Sequence, residues 1–160
     1  MSRNYKIFLL QSIIFFVTII LENMDIQEKF AYWLDIAQYD LETAEAMFVS
    51  GRWLYVFFMC QQAIEKLCKG LYLFYIDDDI PKIHDINSLI TKFADKLPIA
   101  IDDNKRMLFA RLSAFYLNSR YPEYKNRLSI SLNKEEAQGI LEKTKEAFTW
   151  LMTLKPQKQS

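Results

Sequence analysis

From Gln27 onward, apolar residues return at alternating steps of four and three: Phe30, Leu34, Ala37, Leu41, Ala44 and Phe48. That spacing draws one apolar stripe along a helix. Ser50-Gly51 ends it, as a small residue and a glycine do at helix C-termini. A second stripe starts near Trp53 with Phe57, Cys60, Ile64, Leu67, Leu71 and Phe74, and is broken by Asp77, Asp78, Asp79 and Pro81. His84-Asp85 opens a shorter helix, with Asp85 as N-cap and Ile86, Leu89, Ile90, Phe93 and Leu97 as its buried face, before Pro98. A fourth helix runs from Asp102 to Asn118 with Leu108, Leu112 and Phe115 inward. The segment SRYPEYKNRLSIS, which contains Pro122, reads as irregular. Asn133 or Ser131 then caps a last helix whose stripe is Ala137, Ile140, Leu141, Thr144, Phe148 and Leu151 and which continues through Leu154. No strand-length alternation and no internal repeat is present. Short connections place neighbouring helices antiparallel. The expected fold is all-α: an up-and-down bundle of four main helices plus a shorter inserted helix, over residues 25–155, with a frayed tail at 156–160.

Composition agrees with this outline. The chain has 160 residues, 51% apolar and 25% charged, with 3 Gly and 4 Pro, a profile of one globular domain and not of a disordered chain. Its formal net charge of +0 argues against an extended duplex-binding surface, which shows a basic excess. A local site for one nucleotide or one RNA strand remains compatible. Cys60 and Cys68 fall on one predicted helix, roughly 12 Å apart along its axis, too far for a disulfide. They read as core thiols of a cytoplasmic protein, and no metal-ligand spacing surrounds them. No metal and no cofactor is expected.

The N-terminus departs from the pattern. Residues 7–21, IFLLQSIIFFVTIIL, form an apolar run behind Arg3 and Lys6. The run is shorter than the roughly 20 apolar residues of a spanning helix and contains Gln11, Ser12 and Thr18. A signal peptide fits the basic start, but Glu22, Asn23, Met24 and Asp25 supply no small-x-small cleavage site. A translation start placed too early, with Met24 opening the domain, is a third reading; a weak anchor or an extra packing helix completes the set. Residues 1–24 are therefore set apart as an apolar extension, and membrane association is expected only if 7–21 is a genuine anchor.

The second predicted helix also carries a polar stripe: Gln61, Gln62, Glu65, Lys66 and Lys69. Glu65 lies four residues before Lys69, the favoured order for a helix ion pair. The plain reading is a solvated face with one weak salt bridge. Trp53, Tyr55, Phe57, Phe58, Tyr72 and Tyr75 flank the stripe, however, and semi-buried glutamines need partners. Those partners lie within the bundle, across a dimer, or on a ligand.

The run FFMCQQAIEKLCKGLY resembles the pattern of the HEPN family (higher eukaryotes and prokaryotes nucleotide-binding), in which an apolar-aromatic stretch precedes Gln-Gln-Ala, a Glu-Lys pair and a Lys one turn later. WLDIAQYDLETAEAMF followed by GRW is similar to that family's first helix and turn. His84-Asp85 with Leu89 is similar to its His-Asp-x-x-x-Leu element, and Tyr116 with Ser119-Arg120-Tyr121-Pro122-Glu123-Tyr124 to its Arg-Tyr-Pro-acid element. The likeness runs from Ile26 to Leu154, in the family's order. It implies a helical bundle that binds a nucleotide or RNA element, a homodimer, and a nucleotidyltransferase partner in a toxin–antitoxin-type module.

Many members are metal-independent ribonucleases in which an Arg stabilises the phosphate and a His a few residues later moves the proton. The sole histidine here, His84, lies upstream of Arg111, Arg120 and Arg127. That Arg-x-His motif is absent, so no catalytic residue is assigned. The ligand-binding candidates are Gln62, Glu65, Lys69, His84, Arg120 and Tyr121. Each has a structural alternative. His84 can serve as a local hydrogen-bonding residue at a helix entrance. Arg120 can brace its loop or clamp a phosphate, which a guanidinium suits. Tyr121 and Tyr124 can pack the loop down or stack on a base. Two further readings stand beside the binding module: a ribonuclease using Arg120 with His84, and a structural dimer that buries the polar stripe at a two-fold interface.

Overall fold

The computed structural model describes residues 25–119, 121, 123 and 131–156. Among these the regular elements are α1 (Ile26–Val49), α2 (Trp53–Tyr75), α3 (Ile86–Thr91), a 3-10 turn (Ala94–Lys96), α4 (Asp103–Ser119) and α5 (Lys134–Thr153). No strand occurs among the described residues. The apolar run 7–21 and Arg120 lie outside them, as does the tail from 157 onward. No described helix is long and apolar enough to cross a membrane.

Both long terminal elements start on reciprocal caps. Asp25 accepts from the backbone N–H groups of Gln27 and Glu28, and Glu28 returns a bond to the Asp25 N–H. Asn133 and Glu136 repeat the arrangement at α5, so of the two caps proposed for the last helix it is Asn133 that serves. Each pairing satisfies N–H groups that a helix start leaves open. Asp85 caps α3 through the Ser88 N–H at 2.7 Å. The third helix is shorter than its apolar pattern predicts. Phe93 leaves helical geometry at φ −134° with its ring fully buried, and only the 3-10 turn follows.

α2 is the axis of the bundle: most of its 23 residues are buried, and it packs on α1, α3, α4 and α5. Contacts fix the directions. Phe48 meets Trp53 at one end of the α1–α2 pair and Phe30 meets Phe74 at the other, so the two run antiparallel. Arg111 reaches Glu136 and Lys105 lies over Trp150, so α4 and α5 are antiparallel as well. Cys60 lies beside Thr144, and the Tyr75 hydroxyl donates to the Leu154 carbonyl, which sets α5 parallel to α2. The result is the up-and-down bundle of four main helices with α3 inserted.

Two features explain how tightly α1 and α2 meet. Gly51 takes φ +69° in the connecting turn, a conformation that suits glycine. At Gly70 a Cβ would stand 3.1 Å from the Trp33 Cβ and 3.2 Å from the Phe30 ring, so the missing side chain is what lets the helices touch. We expect Gly70→Val to lower stability by about 2 kcal/mol through overpacking, read as a fall in the urea midpoint at constant m-value. Gly139 has nothing within reach of an added Cβ, and Gly139→Ala should not destabilise.

Both cysteines are free and buried. Burial pushes the Cys60 thiol up to about 12, and Cys68 is raised by burial and by the nearby Glu65 carboxylate. Because the folded-state values are raised, this contribution to stability is complete below the unfolded thiol value and declines as pH rises above it. Neither thiol should react with a disulfide reagent at pH 8 until denaturant unfolds the chain; prompt labelling of the native protein would contradict this burial.

Candidate functional site

The polar stripe of α2 divides. Gln61, Glu65 and Lys69 turn into the protein, whereas Gln62 and Lys66 stay half-buried at its edge. Glu65 is 3% exposed, and an ionised carboxylate in that position needs several donors. Lys69 Nζ donates to its Oε1 at 2.6 Å and Gln61 Nε2 to its Oε2 at 2.6 Å. His84 Nδ1 lies 3.1 Å from Oε1 and 3.3 Å from Oε2. Gln61 uses its whole amide: Nε2 also donates to the His84 carbonyl at 3.0 Å, and Oε1 accepts from Gln62 Nε2 at 2.6 Å. Gln61, Glu65 and Lys69, the buried side chains of this cluster, thus each have a partner within the chain.

The chain from Pro81 to Asp85 delivers His84 to this cluster. Gln61 holds its carbonyl, Asp85 begins α3, and the Ile86 N–H donates to Ser113 Oγ of α4 at 3.0 Å. Ser113 is itself buried. The imidazole packs at 5.3 Å from the Tyr116 ring, which in turn lies 5.4 Å from Phe58. With the carboxylate beside Nδ1, the neutral ring carries its proton there and presents Nε2 as the acceptor. The His84 side chain is 43% exposed, so the inner edge is held by Glu65 while the remainder meets solvent.

Of the six candidate residues, Gln62, Glu65, Lys69 and His84 form one connected network. Tyr121 is exposed, and Arg120 lies outside the described residues. The polar stripe is buried inside one chain at Gln61, Glu65 and Lys69, which removes those three side chains from any surface. Gln61 and Tyr116 belong to the site as well. Gln61 was legible as the residue four before Glu65, on the same helical face. Ser113 and the Asp40–Lys66 ion pair were not, because they arise from packing between helices.

Among the described residues no group of three or more His, Cys, Asp or Glu side chains could hold a metal ion. A groove of about 560 Å³ opens between α4 and α5, lined by Lys105, Leu108, Arg111 and Trp150 among others. None of the Glu65 network lines it. Lys105 there is paired with Asp102 and covers the Trp150 ring.

Residues 30–155 match the model of the HEPN domain. The chain belongs to the HEPN family. A HEPN domain carries a nucleotide-linked or ribonuclease-like role. No curated protein sequence matches this chain. The fold is similar to that of TT1696 from Thermus thermophilus, a crystal structure superposing with a TM-score of 0.67 at 20% identity over 78% of this chain and 97% of that one. At that identity the likeness concerns the fold.

The network makes a thermodynamic demand that a double-mutant cycle can read. Glu65→Leu strands the Lys69 ammonium at 9% exposure and is expected to cost about 3–5 kcal/mol. Adding Lys69→Met should recover a large part of that loss, measured by chemical denaturation. Equal destabilisation by the single and double variants would contradict an ion pair between them.

Proposed function

We propose that this HEPN domain binds a nucleotide or a short RNA element at the outer edge of His84. The observation that carries the reading is the Glu65–His84 contact: a buried carboxylate holds Nδ1 at 3.1 Å and leaves an imidazole 43% exposed beside an aromatic ring. Nε2 offers a hydrogen bond to a base or ribose, and the Tyr116 face offers stacking. Arg120, close in sequence to Tyr116, supplies the guanidinium that a phosphate would pair with. Family likeness adds the setting, a two-component module of toxin–antitoxin type with a nucleotidyltransferase encoded beside this chain as the partner, and a homodimer as the working form.

The same contact favours one second reading, a metal-independent ribonuclease with a non-standard site. A carboxylate that fixes the imidazole tautomer leaves Nε2 able to take a proton from a ribose hydroxyl, the role a histidine base plays in acyl transfer. The absent downstream histidine stands against the family's usual arrangement.

Calorimetric titration of common nucleotides and short single-stranded RNAs tests the first reading. Binding should weaken about tenfold, or 1.4 kcal/mol, in His84→Ala and remain unchanged in Lys92→Ala, an exposed position at the far end of α3. Absence of heat with every nucleotide and RNA overturns the small-ligand form. A nucleotidyltransferase encoded beside this chain that forms a stable complex with it on co-expression then supports the partner form. The ribonuclease reading expects RNA cleavage that is lost in His84→Ala and Arg120→Ala; intact RNA after long incubation rejects it.

A further inference from the structure

The amide orientations beside Glu65 follow from its charge. Both hydrogens of Gln61 Nε2 are used, one on the Glu65 carboxylate at 2.6 Å and one on the His84 carbonyl at 3.0 Å. Neither acceptor can donate, so the Gln61 amide has one orientation, with Oε1 turned to the neighbouring residue. An oxygen in that position requires a donor, and Gln62 brings Nε2 to it at 2.6 Å. The buried carboxylate thus sets the polarity of Gln62 by way of Gln61. Gln62 is half-buried and makes no other hydrogen bond among the described residues. Its Oε1 and its second N–H are uncommitted.

Gln62 and His84 border one strip of the protein. Phe58 lies one turn before Gln62 on α2, with its ring 5.4 Å from Tyr116, and Tyr116 lies 5.3 Å from His84. Both rings are half-buried. The α2 charges beside Gln62 are spent, Glu65 on Lys69 and Lys66 on Asp40. The strip therefore offers two aromatic rings, two acceptors (His84 Nε2 and Gln62 Oε1) and one donor, the second Gln62 N–H. Neutral groups beside rings suit a planar base better than a phosphate. A matching base edge carries two donors and one acceptor, and the nucleobases divide on that point. Adenine and cytosine each hold an amino group, with two N–H bonds, beside a ring nitrogen that accepts. Guanine holds N–H donors beside its carbonyl oxygen. Uracil holds a single N–H between two carbonyls, the inverse pattern.

We propose that the strip between His84 and Gln62 reads the base of the bound nucleotide and selects one that bears an exocyclic amino group, with Gln62 as the specificity-determining residue. The inference rests on the assignment of His84 as the edge of a nucleotide site. The base lies against the Phe58 and Tyr116 rings. Its amino group donates to Gln62 Oε1 and His84 Nε2, and its neighbouring acceptor takes the second Gln62 N–H.

Calorimetric titration of the full chain at pH 8 tests this with AMP, CMP, UMP and the 5′-monophosphate of purine riboside, which is AMP without its amino group. AMP and CMP should bind about tenfold more tightly than the other two. Gln62→Leu keeps the bulk of the side chain and removes its hydrogen bonds, so all four nucleotides should bind it with similar, weakened affinity. A side chain with only a structural role would weaken all four alike and leave their ratios intact. Helicity by circular dichroism should be unchanged in the variant. Equal affinity of the unmodified chain for all four, lost in His84→Ala, overturns the selection of an amino-bearing base and leaves the nucleotide site at His84 standing. A preference for AMP over UMP that survives Gln62→Leu overturns the role of Gln62. No heat with any of the four overturns the site and the selection together.

Discussion

A carboxylate buried in the middle of the central helix constrains much of this protein. Glu65 has almost no access to water, so its charge must be met by groups the protein itself supplies. Lys69 supplies the counter-charge from the next turn of the same helix, Gln61 a neutral donor from the previous turn, and His84 a ring from outside the helix. The last is the demanding one. It requires the segment after α2 to return across the bundle and enter α3 at a set point, and the Asp85 cap and the Ser113 hydroxyl hold it there.

This explains a division of labour between apolar and polar contacts. Burial of Phe57, Ile64, Leu67, Leu71, Phe93 and Phe109 supplies the drive to collapse, but such contacts are non-directional and tolerate neighbouring registers. The bonds that meet the Glu65 carboxylate are directional and hold only when Gln61, Lys69 and His84 stand in their places. They therefore select where α3 and α4 lie relative to α2, and the same selection leaves an imidazole edge facing solvent with its tautomer set.

The helices were legible because a period of three and four residues survives in any buried amphipathic helix. Phe30 to Ala44 in α1 and Ala137 to Leu151 in α5 show it plainly. Asp85 and Asn133 were legible as caps because their chemistry is local. The end of α3 was not, since the apolar spacing runs on through Phe93 to Leu97 while the helix stops at Thr91. The site was half legible: Glu65 and Lys69 stand four apart on one helix, and His84 and Arg120 entered through family likeness. Their depth was not, because burial depends on which faces of α1, α4 and α5 close over the stripe. Asp40 pairing with Lys66, and Ser113 holding Ile86, join residues far apart in sequence whose meeting depends on the completed packing.

The tight turn at Gly51 bears on the order of events as the chain folds. It joins the two longest helices through three residues, so their pairing closes a small loop and loses little chain entropy. Glu65 and Lys69 lie on one of those helices, one turn apart, and can come together as soon as that helix forms. A carboxylate that enters the closing core after such pairing has its cation beside it and is not dehydrated alone. A charged pair placed across two distant helices would have faced that barrier before any later contact could offset it.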